Sequence, residues 1–171
     1  MMIAPITFDM EVFFDRILEL FEDEYNSCLE EINAAKKAQD STDIPVKLIP
    51  PKCFYFGGMD ATQIGNTPLF VTYDFANTNE ITENVSSAQA ETITLTFAVH
   101  ILDNRLSGND KAEVKALLRY KRAMVKMINK NYNIFHGIGD LEVRQLQPVV
   151  SDIGRGRLRS AGVSITLTMG Y

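Results

Sequence analysis

Thr92–Leu102 (TITLTFAVHIL) and Ser160–Met169 (SAGVSITLTM) decide how this chain folds. In the first, Ile93, Leu95, Phe97, Val99 and Ile101 alternate with Thr92, Thr94, Thr96, Ala98 and His100. In the second, Ala161, Val163, Ile165, Leu167 and Met169 alternate with Ser160, Gly162, Ser164, Thr166 and Thr168. Successive side chains of a strand point to opposite faces, so a period of two marks strands with one face on a core and one polar face. That is the pattern of an antiparallel sheet. The polar faces carry Thr, Ser, Ala and Gly in place of Lys and Glu. Small uncharged side chains fit a surface that another chain, or a closely packed ring, covers, and this points to an assembling protein.

Working outward, Asp110 stands three residues before Glu113, the capping-box spacing. Val114, Leu117, Leu118, Met124, Val125 and Ile128 then form an apolar stripe, with Lys111, Lys115, Arg119, Lys121, Arg122, Lys126 and Lys130 outside it. The spacing predicts a helix over about 110–130, ended by Asn131, Asn133 and Gly137. A longer helix is predicted over about 7–37, with Thr7 as N-cap and Asp9 and Glu11 favoured in the first turn. Its stripe is Phe14, Ile17, Leu18, Phe21, Tyr25, Cys28, Leu29 and Ile32, and Lys36 and Lys37 suit its last turn. Pro45, Pro50 and Pro51 bracket Val46–Ile49, which reads as a short or edge strand. Lys52–Phe56, Leu69–Phe75 and Asp140–Ile153 read as strands, the last interrupted by Pro148. Gly57–Pro68 reads as a turn-rich loop, and the polar stretch Ala76–Glu91 as a long loop of the kind that often carries function. The expected fold is one α+β domain over residues 1–171. Its mainly antiparallel sheet has about four to six strands, with two helices packed on one face.

The chain has 171 residues, enough for one core, and its hydrophobic content of 46% is ordinary for a globular protein. A net charge of −5 argues against a general nucleic-acid binder. No apolar run nears the ~20 residues of a membrane span, and no basic region precedes the apolar residues of the N-terminus. Cys28 and Cys53 are expected as buried free thiols of a protein made in a reducing compartment, the cytoplasm. Chemistry finds little support. The histidines, His100 and His136, lack neighbouring donors at metal-ligand spacing, so neither metal nor cofactor is expected. There is no nucleophile elbow and no phosphate loop. His100 on a polar strand face reads as a hydrogen-bonded surface or interface histidine, and the chain reads as a non-enzyme.

Charge is more informative. The outer face of the first helix is acidic, with Asp15, Glu19, Glu22, Asp23, Glu30 and Glu31, whereas that of the second is basic. Two readings stand side by side: solvated flanks that pair weakly within one subunit, or head-to-tail association of one subunit's acidic strip with its neighbour's basic strip. The contact residues expected on the second reading are Glu19, Glu22 and Asp23 against Lys121, Arg122 and Lys126. Arg155, Arg157 and Arg159 alternate with Gly154, Gly156 and Leu158 in what reads as a loop before the last strand. They read either as a flexible hairpin tip kept soluble by charge or as a loop that faces DNA in a channel or docks on an acidic partner. The last is favoured because a net-negative chain is a poor DNA binder.

The order of these elements resembles the tail-terminator (tail-completion) proteins of long-tailed bacteriophages. The resemblance rests on the N-terminal helix Phe8–Lys37, the proline-preceded strand Pro51–Phe56 and the Thr-rich strand Thr92–Leu102. It continues with the helix Lys111–Lys130 and a C-terminal strand pair turning at Gly154–Arg159. It implies a homo-oligomeric ring, typically a hexamer, in the tail or neck of the virion. Such a ring caps the tail tube, stops polymerisation of tube protein and offers a docking surface to the head-side connector, with DNA passing through its lumen. A head-closure or other neck or baseplate protein is the nearest alternative. A small α+β ligand-binding domain, with the polar sheet face as pocket floor, is the alternative from another class.

Overall fold

The computed structural model describes residues 10–57, 68–80, 90–103, 110–135, 140–152 and 156–170. In chain order these form helix α1 (Met10–Gln39), a 3₁₀ turn (Pro51–Cys53) and strands β1 (Phe54–Phe56), β2 (Leu69–Glu80) and β3 (Ala90–Asp103). Helix α2 (Asp110–Lys130), the single turn α3 (Tyr132–Phe135) and strands β4 (Asp140–Asp152) and β5 (Arg157–Gly170) follow. The strands make a five-stranded sheet in the order β1-β2-β3-β5-β4. Only the short β1 runs parallel to its neighbour; the remaining pairs are antiparallel. The fold is the expected α+β arrangement.

The period-two pattern sets the register. Val71, Val99 and Ala161 share one cross-strand row, as do Tyr73, Phe97 and Val163, and Phe75, Leu95 and Ile165. These rows face the helices. Phe21 of α1 stacks on Phe97 with ring centroids 3.7 Å apart, and Tyr25 meets Phe54 edge-on. The α1 stripe buries Ile17, Phe21, Tyr25, Cys28, Leu29 and Ile32 as expected. Leu18 is half-buried. The side chain of Phe14, and Thr7 with Asp9 ahead of the helix, lie outside the described residues. The α2 stripe is shifted from its expected line. Leu117, Met124 and Ile128 are buried with Tyr120, Ala123 and Met127, whereas Val114 and Leu118 are exposed.

Several local expectations are corrected. Val46–Ile49 is not a strand but a strap laid across the helices. Its backbone bonds go to side chains. Asn33 Nδ2 donates to the Val46 carbonyl (2.9 Å) and its Oδ1 accepts from the Val46 N–H (3.1 Å). Asn26 treats Ile49 likewise, at 2.7 and 2.9 Å. From α2, Tyr120 Oη donates to the Lys47 carbonyl (2.7 Å), and Arg119 grips the Asp43 carboxylate with both terminal nitrogens. Prolines without an N–H flank the strap, and side-chain amides take the place of a neighbouring strand. The loop expected over Ala76–Glu91 is shorter, because β2 and β3 stay paired out to Glu80 opposite Ala90. Residues 81–89 lie outside the described residues, as does most of the Gly57–Pro68 loop. The capping-box reading also changes. Asp110 is itself helical, and Glu113 Oε2 accepts a hydrogen bond from Arg159 Nε (2.7 Å).

Candidate assembly interface

With both helices on one face, the other face of the sheet carries Thr72, Thr94, Thr96, Ala98, Ser160, Ser164 and Thr166, all half-buried. No described helix packs on it. Gly162 lies in this face opposite Ala98, where the strands approach closely. A Cβ there would sit 2.0 Å from the Phe97 carbonyl oxygen. At one end of the face His100 joins three strands: Nε2 is 2.8 Å from Thr72 Oγ1 and Nδ1 is 2.6 Å from Ser160 Oγ. Its ring stacks on the buried Phe70 at 4.7 Å, and Tyr55 meets Phe70 edge-on. Burial holds the imidazole neutral, pulling its pKa from the usual 6.5 down to about 4. So weak a base is poorly matched to drawing a proton from a hydroxyl at neutral pH. The arrangement cross-links strands and leaves His100 as the hydrogen-bonded histidine expected.

The sheet ends in two unequal edges. β1 has 3 residues, whereas β4 has 13 and, among the described residues, no partner on its outer side. Pro148 and a register shift between Leu146 and Val149 interrupt β4. Val149 and Val150, 54% and 52% exposed, flank that shift. Sequence reading singled out Pro148 but not the valines beside it, although adjacent apolar residues break the expected alternation there.

The structure separates the expected contact residues. Arg159 lies in β5 on the helix-covered face, 6% exposed, with its guanidinium on Glu113. Arg157 is exposed at the start of β5, and Arg155 lies outside the described residues. The loop expected to hold all three is therefore shorter, and Arg159 serves packing between β5 and α2. Lys126 and Lys130 both bind Glu31, the latter at 2.5 Å, and hold that carboxyl down at about 2. The flanks of α1 and α2 thus do pair within one subunit. Lys121 is half-buried. Glu22 lies near the Tyr73 phenol, whose pKa is raised chiefly by burial and further by that carboxylate. Glu19, Asp23 and Arg122 are exposed.

Two adjoining grooves run between the C-terminal half of α1 and α2, of about 510 and 410 Å³. Ile32, Ala35, Val125 and Leu118 contribute apolar floor, and Lys36 and Arg122 line both grooves. Among the described residues no group of His, Cys, Asp and Glu is placed to hold a metal ion. No described helix is long and apolar enough to cross a membrane. No protein-family model matches the chain, and no curated protein matches it.

Proposed function

We propose that this chain is a ring-forming structural subunit of a long-tailed bacteriophage, the tail terminator that caps the tail tube and receives the head-side connector. The observation that carries the reading is the incomplete surface of the single subunit. A Thr/Ser sheet face lies bare of described helices beside a 13-residue strand that, among the described residues, ends the sheet and carries two exposed valines. An open edge of that length is a liability for a free monomer and a resource for an assembling one. Its mechanism is steric: the ring covers the growing end of the tube and presents a different surface on its far side. The partners on this reading are further copies of the chain, the tube protein and the connector.

The test is deletion of the gene from its parent virus, followed by negative-stain imaging of the lysate. Filled heads beside unattached tails of overrun length are expected. Unattached tails of normal length would assign the chain to head closure, and intact infectious particles would overturn the structural role.

A further inference from the structure

The ion pairs leave a residue of unmatched charge. Glu31 is shared by Lys126 and Lys130, Asp43 is taken by Arg119, and Glu24 accepts from Asn131 at 2.8 Å. Arg122, exposed where the two α1–α2 grooves meet, has no carboxylate partner among the described residues. Lys36 beside it makes a long 3.4 Å contact with Gln39 and otherwise acts at a distance on Asp43, which Arg119 already holds. On the acidic side, Glu19 and Asp23 are exposed on successive turns of α1 and likewise make no ion pair among the described residues. They line a cleft with Leu20 between them and Arg16 one turn earlier. Glu19 and Lys36 are seventeen residues apart on one helix, roughly 25 Å. These unmatched charges are too far apart to meet within a molecule, and screening at that range is nearly complete.

We infer that the α1–α2 groove receives the Glu19–Asp23 turn of α1 from a second copy of this chain. The fit is electrostatic. Residues four apart on a helix lie on one side, so Glu19 and Asp23 present two exposed carboxylates together. The groove offers the complement, Arg122 and Lys36 beside an Ile32, Ala35 and Val125 floor. Different patches of the two copies meet, so the contact is heterologous and propagates head to tail, closing into a ring where the rotation allows. The inference deepens the ring reading and rests on it for closure alone.

The experiment uses the full chain at high protein concentration and low salt, with sedimentation velocity and native mass spectrometry as readouts. The wild type is expected to self-associate. Arg122→Glu sets a carboxylate in the groove against the neighbour's Asp23, and Asp23→Arg sets a guanidinium on the turn against the neighbour's Arg122. Either alone is expected to associate roughly a hundredfold more weakly, from like charges in contact. Mixed in equal amounts they restore attraction at every contact, so association returns with strictly alternating composition. The double variant on one chain also associates. Glu19→Arg replaces Asp23→Arg should that variant fail to fold. A monomeric wild type, association indifferent to either substitution, or a mixture no more associated than its components would overturn the inference. Virus imaging separates the two readings. Overrun tails with a monomeric wild-type protein sink this contact alone, whereas alternating rescue with intact virions sinks the terminator role alone.

Discussion

His100 couples β2, β3 and β5 through hydroxyls at both ring nitrogens, and it does so as a neutral ring. Its pKa in the fold is about 4 against an ordinary 6.5, so between those values the unfolded chain binds the proton more readily. Stability is therefore complete above pH about 6.5 and falls as pH drops toward about 4. At about 1.4 kcal/mol per pKa unit, the loss is at most about 3 kcal/mol. Urea denaturation at about pH 7 and about pH 4.5 reads it. His100→Gln should lack this component, and an undiminished pH slope in that variant would assign the dependence elsewhere. Gly162 makes a second prediction at this scale. A methyl group there meets the Phe97 carbonyl oxygen and the Ala98 Cα, both backbone atoms, so β3 and β5 must part. Gly162→Ala should cost about 1–3 kcal/mol, seen as a lowered Tm.

Among the elements, the strap is the least conventional. Asn26 and Asn33 stand seven residues apart on one side of α1 and give Ile49 and Val46 the paired bonds that a neighbouring strand would give. Ile49 is thereby fully buried while Ile44, 83% exposed, points away. Asn26→Ala leaves the Ile49 N–H and carbonyl unmatched, which should cost about 1–3 kcal/mol in urea denaturation. Asn26→Ala and Asn33→Ala act on one strap, so the double variant should lose less than the two single losses together. Strict additivity would mean that the strap does not release as a unit. In α2, Tyr120 and Met127 are core residues that the expected stripe omitted, and Leu118 is an exposed one it included. The helix is rotated slightly about its axis relative to the naive stripe, which brings Glu113 to Arg159 and Arg119 to Asp43.

For the whole molecule, the asymmetry of the sheet matters most. Among the described residues one edge ends in the 3-residue β1, and the other is open along β4. Val149→Lys with Val150→Lys places charge on that open edge, a substitution that natural edge strands use against pairing. Both positions are exposed, so the Tm of the free subunit should hardly move. If the edge serves assembly, a gene carrying the pair should fail to complement the deleted virus and should leave overrun tails. Full complementation would show that β4 is not an assembly edge.

Alternation of Ile, Leu, Phe and Val with Thr and Ser by itself determined that Thr92–Leu102 and Ser160–Met169 are strands with one buried face. The three- and four-residue apolar steps likewise determined both long helices. These are periodicities of neighbouring residues, and burying one face is the same requirement whatever lies opposite. Only the tertiary structure decided what each charge does. Arg159 meets Glu113 across 46 positions and Arg119 meets Asp43 across 76, so no local spacing carried either pairing. The same holds for the strap, whose Val46–Ile49 reads as a strand until Asn26 and Asn33 supply the hydrogen bonds from a helix. It holds also for Arg122, one cation among many in α2 until its neighbours' ion pairs leave it, among the described residues, without a carboxylate in a groove. Strands and helices follow from local pattern, whereas the partners of polar groups follow from which distant residues the packed core brings together.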